Sequence, residues 1–292
     1  MKTPMTGLLR STRITLEMIK WEHSIFALPF ALTATVLAAN GWPPLRVLGW
    51  IIVCMVSARS AAMAFNRLVD AHLDAANPRT AGRALPAGQL SPAFVRAFVI
   101  VSAAIFLFAS WRLNRLTLEL APVALAVVLG YSYMKRITRW SHLVLGLALG
   151  IAPAAAWIAV RGTFAPRAAV LTAIVILWVG GFDVLYACQD FAHDRAVGLF
   201  SIPAAFGLDA AFWIARLMHI GMLCLLFVLL HVFALGGIAL AGMILVAALL
   251  VYEHAIVHPR DLSRMNAAFF TLNGIISVVF FVSIAADVLL RR

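Results

Sequence analysis

Apolar residues in this chain neither alternate nor recur once per helical turn. They run on for about twenty positions at a time, separated by short polar stretches. The runs lie near 24–41, 45–65, 91–110, 117–134, 141–160, 167–188, 212–233, 236–256 and 266–289. A bilayer hydrocarbon core of about 30 Å takes about 20 helical residues. Only helices and closed barrels satisfy every backbone group in lipid, and continuous rather than alternating apolar sequence selects helices. The pattern predicts an all-α, polytopic membrane protein, a nine-helix bundle forming one domain over residues 1–292.

Composition agrees. Hydrophobic residues make up 64% of the 292 residues and charged ones 12%, with a mean hydropathy of +0.99. Soluble domains are roughly 45–50% apolar and about 25% charged, and a soluble fold of this size has no way to hide so much apolar surface. The first run starts near Ser24, after a polar lead carrying Lys2, Arg10, Arg13 and Lys20. That lead is long for a signal sequence, so the first run is expected to be a retained span. Residues 8–22, within a basic segment 1–23, read as an amphipathic stretch on the membrane surface.

The net charge of +11 would suggest nucleic acid in a soluble protein. Here the basic residues sit mostly in short loops, so lipid headgroups and the positive-inside rule account for them, and no nucleic-acid partner is expected. One set of span ends comprises the N-terminus, 67–90, 135–140, 190–211 and 257–265. It holds thirteen Lys and Arg, against seven at the opposite ends. That places the first set in the cytoplasm, as in a bacterial inner membrane. Cys54, Cys188 and Cys224 form neither a C-x-x-C pair nor a disulfide framework.

The two long loops on the basic side carry the chemistry. Asn66, Asp70 and Asp74 are four residues apart, which stacks them on one helix face. Asp190 and Asp194 repeat that spacing after Asp183 and Tyr186 in FDVLYACQDFAHD, and Gly198 and Ser201 follow in a polar turn. Four spans separate the two motifs, so both reach the same face. The even spacing also leaves room for a duplicated four-helix unit. Five of the twelve acidic residues thus fall in two windows. Solvated helix caps would be the plain explanation of one such window. Two on one face suit a hard cation with oxygen ligands, above all Mg²⁺ shared with substrate phosphates. Arg79, Arg83, Lys135, Arg136 and Arg195 are candidates for the remaining phosphate oxygens, although Lys135 and Arg136 serve equally as positive-inside anchors. Arg59 lies within the second span, where a charge is expensive. It is either one half of an ion pair with Asp183 or Glu253, or a clamp for a carboxylate or phosphate of a second substrate. The eight histidines show no metal-ligand spacing, and no Gly-rich phosphate loop is present.

These residues resemble the UbiA superfamily of intramembrane prenyltransferases over nearly the whole chain. The resemblance rests on the nine runs, N-x3-D-x3-D after the second, and Y-x3-D-x3-D after the sixth. Arg59 before Asn66 in ARSAAMAFNRLVD and the blocks NPRTAGRALPAG, YSYMKRIT and DRAVGLFSIP add to it. The resemblance implies a helical bundle around a central cavity, with Asp70, Asp74, Asp190 and Asp194 binding Mg²⁺–diphosphate. Asn66, Arg79, Arg83, Lys135 and Arg136 would lie near the diphosphate or cavity, with Tyr186 and Ser201 also on the substrate side. By the same analogy an allylic carbocation is attacked by an aromatic acceptor, which Asp183 or a neighbouring carboxylate orients or deprotonates. KWEHSIFALPFA looks like the quinone-pathway members. The implied substrates are therefore a polyprenyl diphosphate and an aromatic carboxylate, 4-hydroxybenzoate or 1,4-dihydroxy-6-naphthoate, in ubiquinone or menaquinone biosynthesis. Asn-Arg at 66–67 departs from the family's common Asn-Asp and leaves the metal count open. The rival readings are a secondary transporter using Arg59 and Asp183 and a CDP-alcohol phosphotransferase, whose signature is missing.

Overall fold

The structure, a computed structural model, describes residues 4–21, 24–265 and 267–291. Lys2, Glu22, His23 and Arg292, used above for the lead and the charge count, lie outside the described residues. The chain is helical almost throughout. Helices α1 (Pro4–Ile19), α2 (Ser24–Ala39), α3 (Leu45–Val69), α4 (Ala71–Ala76), α5 (Pro92–Leu113) and α6 (Arg115–Gly130) come first. A 3₁₀ turn, Tyr131–Arg136, continues α6. Then follow α7 (Ser141–Arg161), α8 (Pro166–Ala187), α9 (Phe191–Val197), α10 (Ile202–Phe206), α11 (Leu208–Val232), α12 (Gly237–Ile256) and α13 (Asn273–Leu290).

Among the described residues eight helices are long and apolar enough to cross a membrane, and Leu28–Ala39 of α2 is a shorter apolar helix. The nine expected spans correspond to these nine segments, with the first below spanning length on its described apolar part. The basic lead is helical from Pro4, earlier than the expected position 8. The two polar loops are more ordered than the sequence suggested. The first opens with α4, and the second contains α9 and α10. Gly198 ends α9 at φ 73°, a left-handed cap that a residue without Cβ adopts freely.

Helices that pack in lipid gain little from hydrophobic burial, since lipid tails are as apolar as leucine; close van der Waals contact and small residues do the work instead. That is the character of the seam between α7 and α8, one of the most extensive in the bundle along with those of α3 with α5 and α8 with α11. A Cβ on Gly146 would stand 2.5 Å from the Ile176 carbonyl oxygen, so only glycine permits this approach. Phe30, Trp178 and Phe280 pack at 4.8 and 4.9 Å between ring centroids and lock α2, α8 and α13 together. The solid part of the bundle therefore lies around α8. On its other side α3, α6 and α7 draw apart and leave a cavity.

Candidate active site

The cavity has a volume of about 1150 Å³. Its inner wall is apolar, with Met55, Leu120, Ala148, Ala152 and Ala155 among the lining residues. Along α3 it runs from Ile51 to Asn66. The fifteen steps between them cover about 22 Å at 1.5 Å per residue, most of a hydrocarbon core. The charged residues gather at one end. Asp70, Asp74, Asn77, Arg79, Arg83, Lys135, Tyr186, Asp190 and Asp194 all line the cavity there.

The helical register of the first motif persists through the end of α3. Asp70 N–H donates to the Asn66 carbonyl and Asp74 N–H to the Asp70 carbonyl, at 2.9 and 2.7 Å. Asn66 Nδ2 in turn donates to Asp70 Oδ2 at 2.8 Å. Arg136, brought in by the 3₁₀ turn after α6, donates from Nη2 to Asp70 Oδ1 at 2.8 Å and to the Val69 carbonyl at 3.0 Å. Burial pushes the Asp70 carboxyl above its ordinary range, against the pull of Arg136 and Lys135. Asp74 is buried. Its Oδ1 accepts from Arg83 Nη1 at 2.6 Å, and Arg67 Nη1 stands 3.9 Å from its Oδ2.

The second motif is held by the loop of the first. Arg79 grips Asp190 with two bonds, Nε to Oδ1 at 2.9 Å and Nη2 to Oδ2 at 2.5 Å. Its Nη1 donates to the Tyr186 hydroxyl at 3.1 Å, and Asn77 Nδ2 adds a bond to Asp190 Oδ1 at 3.1 Å. Such a fork suits the planar guanidinium and no other side chain. Lys135 acts electrostatically on Asp70, Asp190 and Asp194 alike.

Asp183 and Arg59 line the cavity as well. The ion-pair alternatives for Arg59 do not form. Asp183 Oδ2 is bonded to His142 Nδ1 at 2.7 Å, and Glu253 accepts from Asn273 Nδ2 at 3.4 Å. Arg59 Nε is buried without a hydrogen-bond partner. Ser201 is not part of the large cavity. It caps α10, accepting from the Ala204 N–H at 3.2 Å, and borders a smaller cavity of about 630 Å³ together with Asp194 and Arg195. Arg195 lies over the Phe191 ring, 5.5 Å from its centroid, and borders this second cavity rather than the first. The residues whose contacts sequence reasoning did not foresee are Arg67, noted only as a charge and as a departure from the family's Asn-Asp, Asn77, and His142, set aside with the other histidines. Asn77 meets Asp190, His142 meets Asp183 and Arg67 meets the Met18 carbonyl far away along the chain, and no local pattern announces these contacts.

Among the described residues no three Asp, Glu, His or Cys side chains gather closely enough to hold an ion by themselves. Yet Asp74 Oδ2 and Asp194 Oδ2, one from each motif, are buried without a hydrogen-bond donor. A buried acceptor left bare is costly, and such oxygens are what a hard divalent cation takes. The donor set therefore fits a cation completed by substrate oxygens, the usual manner of Mg²⁺.

Residues 27–275 match the UbiA prenyltransferase family. The chain belongs to that family. It is 32% identical over 246 residues to a 4-hydroxybenzoate octaprenyltransferase of Vibrio cholerae, covering 83% of this chain and 85% of that one. It is 31% identical over 260 residues to the protein of the same name in Aliivibrio fischeri, covering 89% and 90%. The apo structure of a UbiA homologue from Aeropyrum pernix superimposes with a TM-score of 0.84 at 32% identity, over 92% of this chain and 98% of that one. A UbiA homologue from Archaeoglobus fulgidus bound to DMAPP and Mg²⁺ shares the fold with a TM-score of 0.74 at 18% identity, over 94% and 98%. This UbiA protein is thus an integral membrane prenyltransferase, which displaces the transporter and phosphotransferase alternatives.

Proposed function

We propose that the protein transfers a polyprenyl group from a polyprenyl diphosphate to an aromatic carboxylate, with Mg²⁺ as cofactor and the reacting end facing the cytoplasm of a bacterial inner membrane. The observation that carries this reading is the cavity itself, an apolar tunnel that ends between two carboxylate motifs, each paired with an arginine of the loop after the first. A substrate with a charged head and a long apolar tail matches both parts, and the net positive bias of that end supports the orientation. The names of the relatives favour 4-hydroxybenzoate as acceptor and an octaprenyl donor.

In this reading Asp70, Asp74, Asp190 and Asp194 would hold Mg²⁺ together with the diphosphate. Bound Mg²⁺ would neutralise charge building on the departing diphosphate. Arg79 and Arg83 now neutralise Asp190 and Asp74. With the cation held by those carboxylates, both guanidiniums would be free for the diphosphate oxygens, beside Lys135 and Arg136. Asn66 keeps Asp70 aligned, and Tyr186 keeps Arg79 in reach. Ser201 acts indirectly, by capping the segment that follows Asp194. The C–O bond to the prenyl carbon breaks, the diphosphate leaves with the electron pair, and the allylic cation is shielded from water by the apolar wall. The acceptor ring attacks and then loses its ring proton. Arg59, a cation without a carboxylate of its own, clamps the acceptor carboxylate, and Asp183 accepts a hydrogen bond from the acceptor hydroxyl.

The test is product formation by purified protein in lipid, supplied with octaprenyl diphosphate, Mg²⁺ and either 4-hydroxybenzoate or 1,4-dihydroxy-6-naphthoate. A prenylated product of one acceptor, absent with EDTA, is expected by mass spectrometry. No product from either acceptor, in protein shown to be folded, would remove the aromatic-carboxylate reading.

A further inference from the structure

His142 does not line the cavity and takes no part in the arginine–carboxylate set, yet both its ring nitrogens are engaged. It lies in the first turn of α7 with no exposed surface. The Ile202 backbone N–H, at the start of α10, is 3.2 Å from Nε2. A backbone N–H can only donate, so Nε2 is the nitrogen with the lone pair. The ring proton then sits on Nδ1, which donates to Asp183 Oδ2 at 2.7 Å. The backbone of α10 thereby selects the neutral Nδ1–H tautomer and sets the plane of the ring, in the way that a second hydrogen bond fixes a catalytic or metal-bound imidazole. A histidine needed only to fill this corner of the fold would have no use for a carboxylate that borders the substrate cavity. Asp183 does border it, and Oδ1 has no hydrogen-bond partner among the described residues.

We propose that His142 is a positioning residue. Its Nδ1–H holds one oxygen of Asp183 so that the other is presented to the hydroxyl of a phenolic acceptor. The inference rests on the reading of Asp183 as the acceptor contact given above. It places acceptor recognition under the control of a residue buried behind the site, tied through Ile202 to the segment that follows the second carboxylate motif.

The experiment is a double-mutant cycle on the full chain in lipid, with steady-state kinetics for both substrates and thermal unfolding. His142→Leu removes the donor, and should lower kcat/KM for the acceptor by about tenfold or more while the KM for prenyl diphosphate stays within about twofold. His142→Gln, which keeps an N–H and an oxygen, should restore most of the loss. Asp183→Asn should resemble His142→Leu, and the double variant should be no worse than Asp183→Asn alone. Additive losses, or equal losses for both substrates that follow the change in Tm, would reduce His142 to a structural role and overturn the proposal. An Asp183→Asn variant with unaltered acceptor kinetics would instead overturn the reading of Asp183 itself. A readout on the unmutated protein stands apart from variant folding. The ¹⁵N-histidine spectrum should show His142 as the neutral Nδ1–H tautomer, with a proton shift that moves on adding 4-hydroxybenzoate. A resonance indifferent to the acceptor contradicts the proposal.

Discussion

The two carboxylate motifs have the same i, i+4 spacing, and their surroundings differ. In the first, each aspartate has its own cation, Asp70 with Arg136 and Asp74 with Arg83. In the second, Asp190 depends on Arg79, which belongs to the loop of the first motif, and Asp194 has no ion pair among the described residues and keeps, like Asp74, a buried bare oxygen. The first loop thus supplies one cation to each motif, Arg83 to Asp74 and Arg79 to Asp190. One consequence is that the second motif cannot be read as an independent site, since its charge balance is set across the cavity mouth. Another is that, on the proposed reading, a ligand reaching Asp190 would displace Arg79, which would couple the binding of cation and diphosphate.

The largest effect should come from removing one carboxylate of either motif. Asp70→Ala and Asp190→Ala should each lower product formation by about a thousandfold, with the protein still folded by circular dichroism. Substantial activity in both would show that the motifs do not share the metal. Next is Arg59→Ala, which should raise the KM for the acceptor by about ten- to a hundredfold and leave the prenyl diphosphate KM unchanged; an unchanged acceptor KM removes the clamp. Arg79→Lys keeps the charge and loses the fork, so the diphosphate KM should rise by about tenfold, whereas Arg83→Lys, which replaces a single contact, should cost less. If the two lysine variants behave alike, the asymmetry between the motifs has no functional weight. The smallest effect on the site is expected from Gly146→Ala, which forces α7 and α8 apart. It should destabilise the protein by about 1–3 kcal/mol in thermal unfolding and leave both KM values of the folded enzyme as they are.

Much of this architecture is legible in the chain because the bilayer imposes it. Runs such as 91–110 and 141–160 need only be long and apolar to be recognised, and the structure has Pro92–Leu113 and Ser141–Arg161 in those places. The aspartates could be found because i, i+4 spacing is a local property of a helix. Pairing is not local. Arg79 meets Asp190 across 111 residues and His142 meets Asp183 across 41, and neither contact leaves a mark on nearby sequence. Arg67 looked like one more basic residue on the positive side, yet it is buried against Met18 and Asp74. Helices α9 and α10 were missed for another reason. They are seven and five residues long, too short for any periodicity to stand out, and they depend on a glycine cap and a serine cap.

The central claim is that the two motifs act as a single site for a Mg²⁺–diphosphate head. It is tested most directly by equilibrium binding of a non-reactive prenyl thiodiphosphate to the protein in lipid, with and without Mg²⁺. The wild type, Asp70→Ala, Asp190→Ala and the double variant would be compared. Binding that requires Mg²⁺, is lost to a similar degree in either single variant, and falls no further in the double variant is the predicted result. Binding that ignores Mg²⁺, or losses that simply add between the two motifs, would contradict it.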